Sequence, residues 1–161
     1  MSQITSQIPI RSTAVACAVL QPNGHGLQVL VLRRTLPPLD GVWSLVTGHV
    51  DEGETGWEAA RREVIEETGL TPEALYSANF CDQWYNHHAN VIEVVPIFVA
   101  YVHAEGVVSM NHEHSELRWV PVDDAIDHIP FHGHKTALEH IRHTFIENAP
   151  PSWMRVKTDR P

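Results

Sequence analysis

The chain has 161 residues, of which 43% are hydrophobic and 19% charged, with a formal net charge of −9. This length and composition fit one globular domain and exclude a disordered or coiled-coil chain. The acidic balance excludes a basic track for a nucleic-acid polymer, so a polyanionic partner would need a bridging cation.

In chain order, residues up to about Arg11 contain no basic region followed by an apolar stretch, and they read as a loose polar arm with Pro9. The run Thr13 to Leu20 is rich in Ala and Val and predicts a buried strand. Gln21 to Gly26 reads as a turn, and Leu27 to Leu32 as a second strand at hairpin distance, ending in Arg33 and Arg34. Pro37, Pro38 and Gly41 mark a loop, after which Val42 to Val46 is expected to form one short strand.

From about Thr55 to Thr68, Trp57, Ala60, Val64 and Thr68 recur at three- and four-residue intervals, the spacing of one buried helix face. Thr55 with Glu58 makes a capping-box pattern, and Gly69 then Pro72 supply stop signals. Strands follow at Tyr76 to Trp84 and Val91 to His103, the second carrying Pro96 as an edge or bulge residue. A short strand over Glu116 to Val120 leads to a helix start at Pro121. A second amphipathic helix runs from about His134 to Ile146, and a loose tail follows from Pro150. The core thus spans about residues 13 to 147, and the strand-rich order predicts a mixed sheet covered by helices.

The two cysteines, Cys17 and Cys81, sit beside apolar or small residues and predict buried, reduced thiols of a cytoplasmic protein. No segment approaches the roughly 18 apolar residues of a membrane span, so no membrane partner is expected.

The first helix carries the chemistry. Glu63, Glu66 and Glu67 stand at i, i+3 and i+4, so their carboxylates should converge on one face of a cleft. Like charges so placed repel unless a cation lies among them, and carboxylate oxygens are the ligands Mg²⁺ prefers. Arg62 can pair with Glu66, four residues on, or with Glu54 near the helix start. From helix chemistry alone, a solvated acidic face is an equal reading.

The segment Gly48 to Leu70 resembles the Nudix box. It matches at Gly48, Glu54, Arg62, Glu63, Val64, Glu66, Glu67, Gly69 and Leu70, nine defined positions over 23 residues. The resemblance implies an α/β/α sandwich of the α/β (α+β) class with a mixed central sheet. It also implies Mg²⁺, with Mn²⁺ as a substitute, held by Glu63, Glu66, Glu67 and the Gly48 carbonyl, and Arg62 as the orienting partner. The flanking segments Gly41 to Gly48 and Val95 to Ala100, with Glu113-His114 before Arg118-Trp119, look most like bacterial dihydroneopterin triphosphate and deoxynucleoside triphosphate pyrophosphohydrolases. Members of that group often carry a further acidic residue six positions before a strand-closing Trp. Here it is Glu113, as metal ligand or general base, with Glu116 as its rival.

The implied reaction is Mg²⁺-dependent hydrolysis of a pyrophosphate linkage in a small phosphorylated substrate, giving monophosphate and pyrophosphate by a monomer or homodimer. Glu63, Glu66 and Glu113 all remain open as the general base. Arg33 or Arg34, but not both in an alternating strand, can fork onto phosphate, as can Lys135. Trp43 is a stacking candidate or a buried scaffold residue. The histidine pairs lack the spacing of a zinc motif. The alternatives are a dinucleoside polyphosphate or nucleotide-sugar hydrolase, and a non-catalytic Nudix-like sensor. The complete box argues against the sensor.

Overall fold

The computed structural model describes residues 6–158. In chain order the strands are β1 (Ile10–Arg11), β2 (Ala14–Asn23), β3 (Gly26–Arg34), β4 (Trp43–Ser44), β5 (Val46–His49), β6 (Ala74–Asn86), β7 (Val91–Tyr101) and β8 (His114–Val120). The helices are α1 (Gly56–Thr68), α2 (Val122–His128) and α3 (His132–Ile141).

Period-two alternation along the central strands builds two cores. Val15, Cys17, Val19, Leu30 and Leu32 face α1, where Ala59, Ala60 and Val64 are fully covered. The intervening Ala16, Ala18, Leu20, Val29 and Val31 face α2 and α3 and meet Ala125, Ala137, Leu138, Ile141 and Phe145. Helices on both faces of one sheet make the α/β/α sandwich that the resemblance implies. The sheet is mixed. β1 and β2 run parallel to β7, and the remaining pairings are antiparallel.

Several boundaries move from their sequence-based positions. The first hairpin closes on Gly24 and His25, because Asn23 pairs with Gly26 and the ladder runs through Gln21 and Pro22. Pro22 is tolerated there because the pairing of β2 with β7 has stopped at Leu20. The expected strand Val42 to Val46 is two strands divided at buried Leu45: β4 pairs with β3, and β5 crosses to β2. This exchange of partners brings Gly48 beside Val15 and under α1.

Pro96 pairs with Cys81 where the β6 register shifts between Ser77 and Cys81, with Asn79 at φ 54°. Just past that irregularity Cys81 is exposed, whereas the sequence reading buries it; Cys17 is buried as expected. The second long helix is α-helical only to Ile141 and continues as a π-turn over Arg142–Ile146. The tail is not loose over its described part. Met154 is buried, and the Val156 amide donates to the Leu75 carbonyl at 2.8 Å. The polar arm is likewise partly ordered, since Ile10 and Arg11 add to the edge of β7 and Arg11 pairs with Glu93. Residues 1–5 of that arm lie outside the described residues. Among the described residues no helix is long and apolar enough to cross a membrane.

Candidate active site

α1 begins and ends where its sequence signals place it. Thr55 is the N-cap, its hydroxyl accepting from the Glu58 amide while the Glu58 carboxylate accepts from the Thr55 amide at 2.8 Å. Gly69, at φ 71°, closes the last turn with its amide on the Ile65 carbonyl. Trp57 packs half-buried on the α1 core. These anchors fix the rotation of the helix and hence the direction of each carboxylate.

The expected common carboxylate face divides. Glu67 turns inward and is 2% exposed, Glu63 is half-buried, and Glu66 is 56% exposed at its side chain. The reason is the 3.6-residue turn: i and i+4 lie about 40° apart on the helix, whereas i+3 falls about 60° to the other side. Glu66 is therefore not inside the cleft but at its rim.

Arg62 holds this arrangement. Its guanidinium forks onto Glu54 at 2.9 and 3.0 Å and also donates to Glu63 at 2.7 Å, Glu66 at 3.1 Å and the His49 carbonyl at 2.8 Å. Both partners foreseen for it, Glu54 and Glu66, are engaged at once. The Arg62 hydrogen bonds hold the Glu54 carboxyl below the usual carboxylate range and raise the guanidinium above its own.

Glu67 has no such cation in contact. Burial, then the nearby Glu63 and Glu113 charges, push its pKa up to about 8, against weaker opposing effects of Arg34 and the Thr47 amide. Its Oε2 is buried without a hydrogen-bond partner among the described residues, with His114 Nε2 3.9 Å away. His114 is itself held toward the neutral form by burial and by Arg34. Burial also raises Glu63 despite its bond to Arg62.

Gly48 is required by close approach: a Cβ there would stand 2.0 Å from Glu63 Cδ. Arg34, Gly48, Glu63 and Glu113 line one cleft of ≈ 320 Å³. Among the described residues no three His, Cys, Asp or Glu side chains are grouped so as to hold a metal ion by themselves. The oxygen-rich, open set with one orphaned buried carboxylate oxygen instead suits a hard cation completed by water and substrate phosphate.

The outer candidates sort by strand geometry. The β3–β8 register shifts between Arg33 and Arg34. Arg34 reaches inward to Thr47 Oγ1 at 3.2 Å, while Arg33 turns out to the Gly41 carbonyl and to Glu116. Glu113 lines the cleft, but Glu116 is bound to Arg118 at 2.7 and 2.9 Å on the outer side. Trp43 is directed away from the cleft. It packs on the α2/α3 core, with the Arg118 guanidinium 4.8 Å from its ring and His128 edge-on at 6.2 Å. Lys135 does not line the cleft, nor the apolar cavity that adjoins it at Ala14, Arg34 and Thr47; its neighbour His134 lines that cavity. Of the cavity residues Ser44, Asp82 and His134, the first two escape the sequence reading, and His134 enters it only in a histidine pair set aside as a zinc site. No spacing pattern joins them, because they come from three separate elements.

The chain matches the NUDIX domain family over residues 10–143. It belongs to the Nudix hydrolase family. A bis(5'-nucleosyl)-tetraphosphatase [asymmetrical] of Caenorhabditis elegans is 33% identical over 62% of this chain and 72% of its own length. An octanoyltransferase of Myxococcus xanthus is 32% identical over 78% of this chain, which spans 34% of that longer protein. The structure of the E. coli dihydroneopterin triphosphate pyrophosphohydrolase, 23% identical, superposes with a TM-score of 0.66 over 89% of this chain and 100% of its own, a likeness of fold.

Proposed function

We propose that this chain hydrolyses the pyrophosphate linkage of a nucleoside triphosphate-like substrate, a deoxynucleoside triphosphate or dihydroneopterin triphosphate, to monophosphate and pyrophosphate with Mg²⁺. The observation that carries the reading is the buried Glu67 carboxylate oxygen, unpartnered among the described residues and close to Glu63 and Glu113, which line a cleft with Arg34 and Gly48. An anionic pocket of this kind repels a triphosphate unless a cation joins the two. That electrostatic need supports the reading of Mg²⁺ chemistry.

Glu67, Glu63 and the Gly48 carbonyl would hold the ion, with Glu66 completing the set from the rim. Bound Mg²⁺ supplies charge neutralisation on the diphosphate and a more acidic water. The chain's own residues do the remainder. Arg62 fixes the Glu63 carboxylate, so that little reorganisation is left to the reaction. Arg34 binds a phosphate oxygen, and the half-buried Glu113 takes the proton of the attacking water as general base. Among the three base candidates, Glu63 is tied to Arg62 and Glu66 is displaced to the rim, which favours Glu113.

A dinucleoside polyphosphate substrate is the second reading, supported by the likeness to the C. elegans tetraphosphatase. One experiment separates the two: incubation with nucleoside triphosphates, dihydroneopterin triphosphate and diadenosine tetraphosphate, with and without Mg²⁺, with every product identified. Release of pyrophosphate from a triphosphate supports the proposal. Turnover confined to diadenosine tetraphosphate replaces it with the second reading.

A further inference from the structure

Four buried side-chain polar atoms have no hydrogen-bond partner among the described residues: Glu67 Oε2, Arg34 Nε, Ser44 Oγ and His134 Nδ1. The first belongs to the cation seat. The other three belong to residues that line one cavity of ≈ 470 Å³, bounded by Leu39, Trp84, Val95 and Phe131. Ser44 is 1% exposed and His134 7%, so neither exchanges its lost hydrogen bonds for water at the surface. Unsatisfied polar atoms gathered in an apolar pocket of this volume mark a small-molecule site whose ligand brings the missing partners.

A fourth polar group narrows the ligand. Asp82 lines the same cavity, with its carboxylate lying where Gly133 has no side chain: a Cβ at Gly133 would stand 1.7 Å from Asp82 Oδ1. Asp82 is thus lodged at the start of α3, and as a carboxylate it only accepts hydrogen bonds. A neutral ring matches it best with two adjacent donors, a ring N–H beside an exocyclic amine. Adenine and cytosine place a bare ring nitrogen beside their amine, and uracil and thymine flank the ring N–H with two carbonyls. The 2-amino-4-oxopyrimidine edge shared by guanine and pterins has the required pair. It also carries an oxo group on the far side of the N–H, for which Ser44 Oγ and Arg34 Nε are the available donors.

We infer that this cavity binds the planar head of the substrate and selects a 2-amino-4-oxopyrimidine ring, with Asp82 accepting from the ring N–H and amine and Ser44 or Arg34 donating to the oxo group. Trp84 and Phe131 supply the aromatic walls. The inference deepens the hydrolase reading and rests on it only for the phosphate end, since Arg34 and Thr47 line both the cavity and the cleft.

The test uses the full chain without metal, titrated calorimetrically with guanosine, inosine, adenosine and 6-hydroxymethylpterin. Inosine differs from guanosine only by the missing amine. Guanosine or the pterin should bind about 10- to 100-fold more tightly than inosine or adenosine, the range for hydrogen bonds to a charged group. Whichever of the two binds more tightly identifies the source of the ring. Asp82→Asn should abolish that preference and turn it toward xanthosine, whose 2-oxo group accepts from the new amide. Equal binding of guanosine and inosine to the parent chain, or no binding of any of these compounds at millimolar concentration, overturns the inference even if Asp82→Asn does not fold. Triphosphate hydrolysis without ring preference would overturn it and leave the hydrolase reading standing. Selective ring binding without hydrolysis would do the reverse.

Discussion

The cleft beside α1 and the cavity beside α3 share Arg34 and Thr47, yet their polar groups are in opposite conditions. At α1 carboxylates crowd together: Arg62 alone serves Glu54, Glu63 and Glu66, and Glu67 is left buried near Glu63 and Glu113. In the cavity, the polar groups of Arg34, Ser44, Asp82 and His134 are scattered one at a time over apolar walls, and three of their atoms have no hydrogen-bond partner among the described residues. Excess negative charge calls for a cation, whereas isolated polar atoms call for a neutral ligand of matching shape. The first arrangement suits the chemistry common to many substrates, and the second suits the choice among them.

The largest effect should come from the cleft. Glu67→Gln keeps the side-chain shape but removes the charge a hard cation needs, so kcat should fall by about 3 to 5 kcal/mol in transition-state stabilisation at unchanged fold. Near-normal turnover at saturating Mg²⁺ would break the comparison, because Glu67 would then be a buried acid without a task.

Glu113→Gln should lower kcat by about 10²-fold, as for a positioned general base, with little change in the Mg²⁺ concentration required. Glu116→Gln should stay within about twofold, since its carboxylate serves Arg118 and Arg33 on the outer side. If the Mg²⁺ requirement of Glu113→Gln rises and added metal restores the rate, Glu113 is a ligand instead.

A smaller effect should divide the two neighbouring arginines. Arg34→Ala should raise KM about 10-fold through the loss of one charge-assisted phosphate contact, while Arg33→Ala should leave kinetics within about twofold. Equal losses in the two variants would show that their opposite orientations on β3 do not separate their roles.

The mildest prediction concerns the metal-free protein. The Glu67 carboxyl has its pKa raised from the ordinary 4.5 to about 8 in the fold. Its contribution to stability is therefore complete below pH 4.5 and is lost as pH rises through about 8, where the unfolded chain has already released the proton. Thermal unfolding without divalent cation should show Tm falling across that window, by roughly 1 to 3 kcal/mol of stability. Glu67→Gln should flatten the fall, and Mg²⁺ should oppose it in the parent chain. A pH-independent Tm in the metal-free parent would contradict the burial argument.

Sequence by itself determined α1, from its capping box to Gly69, because caps and apolar spacing act within a dozen residues. It also determined which residues make up the acidic motif, and the alternation along β2 and β3 that assigns each side chain to one of the two cores. Tertiary structure alone decided the rest. The partner exchange between β4 and β5 set Gly48 against Glu63, and the seating of β3 in the sheet decided that Arg34, of the two alternating arginines, points inward. Docking of α1 on the sheet decided that Glu67 is buried and Glu66 exposed. Ser44, Asp82 and His134 met in one cavity from a short strand, a long strand and a helix start. Their meeting left no periodic trace in the chain, because contacts between distant segments are fixed by sheet order and packing, not by spacing along the sequence.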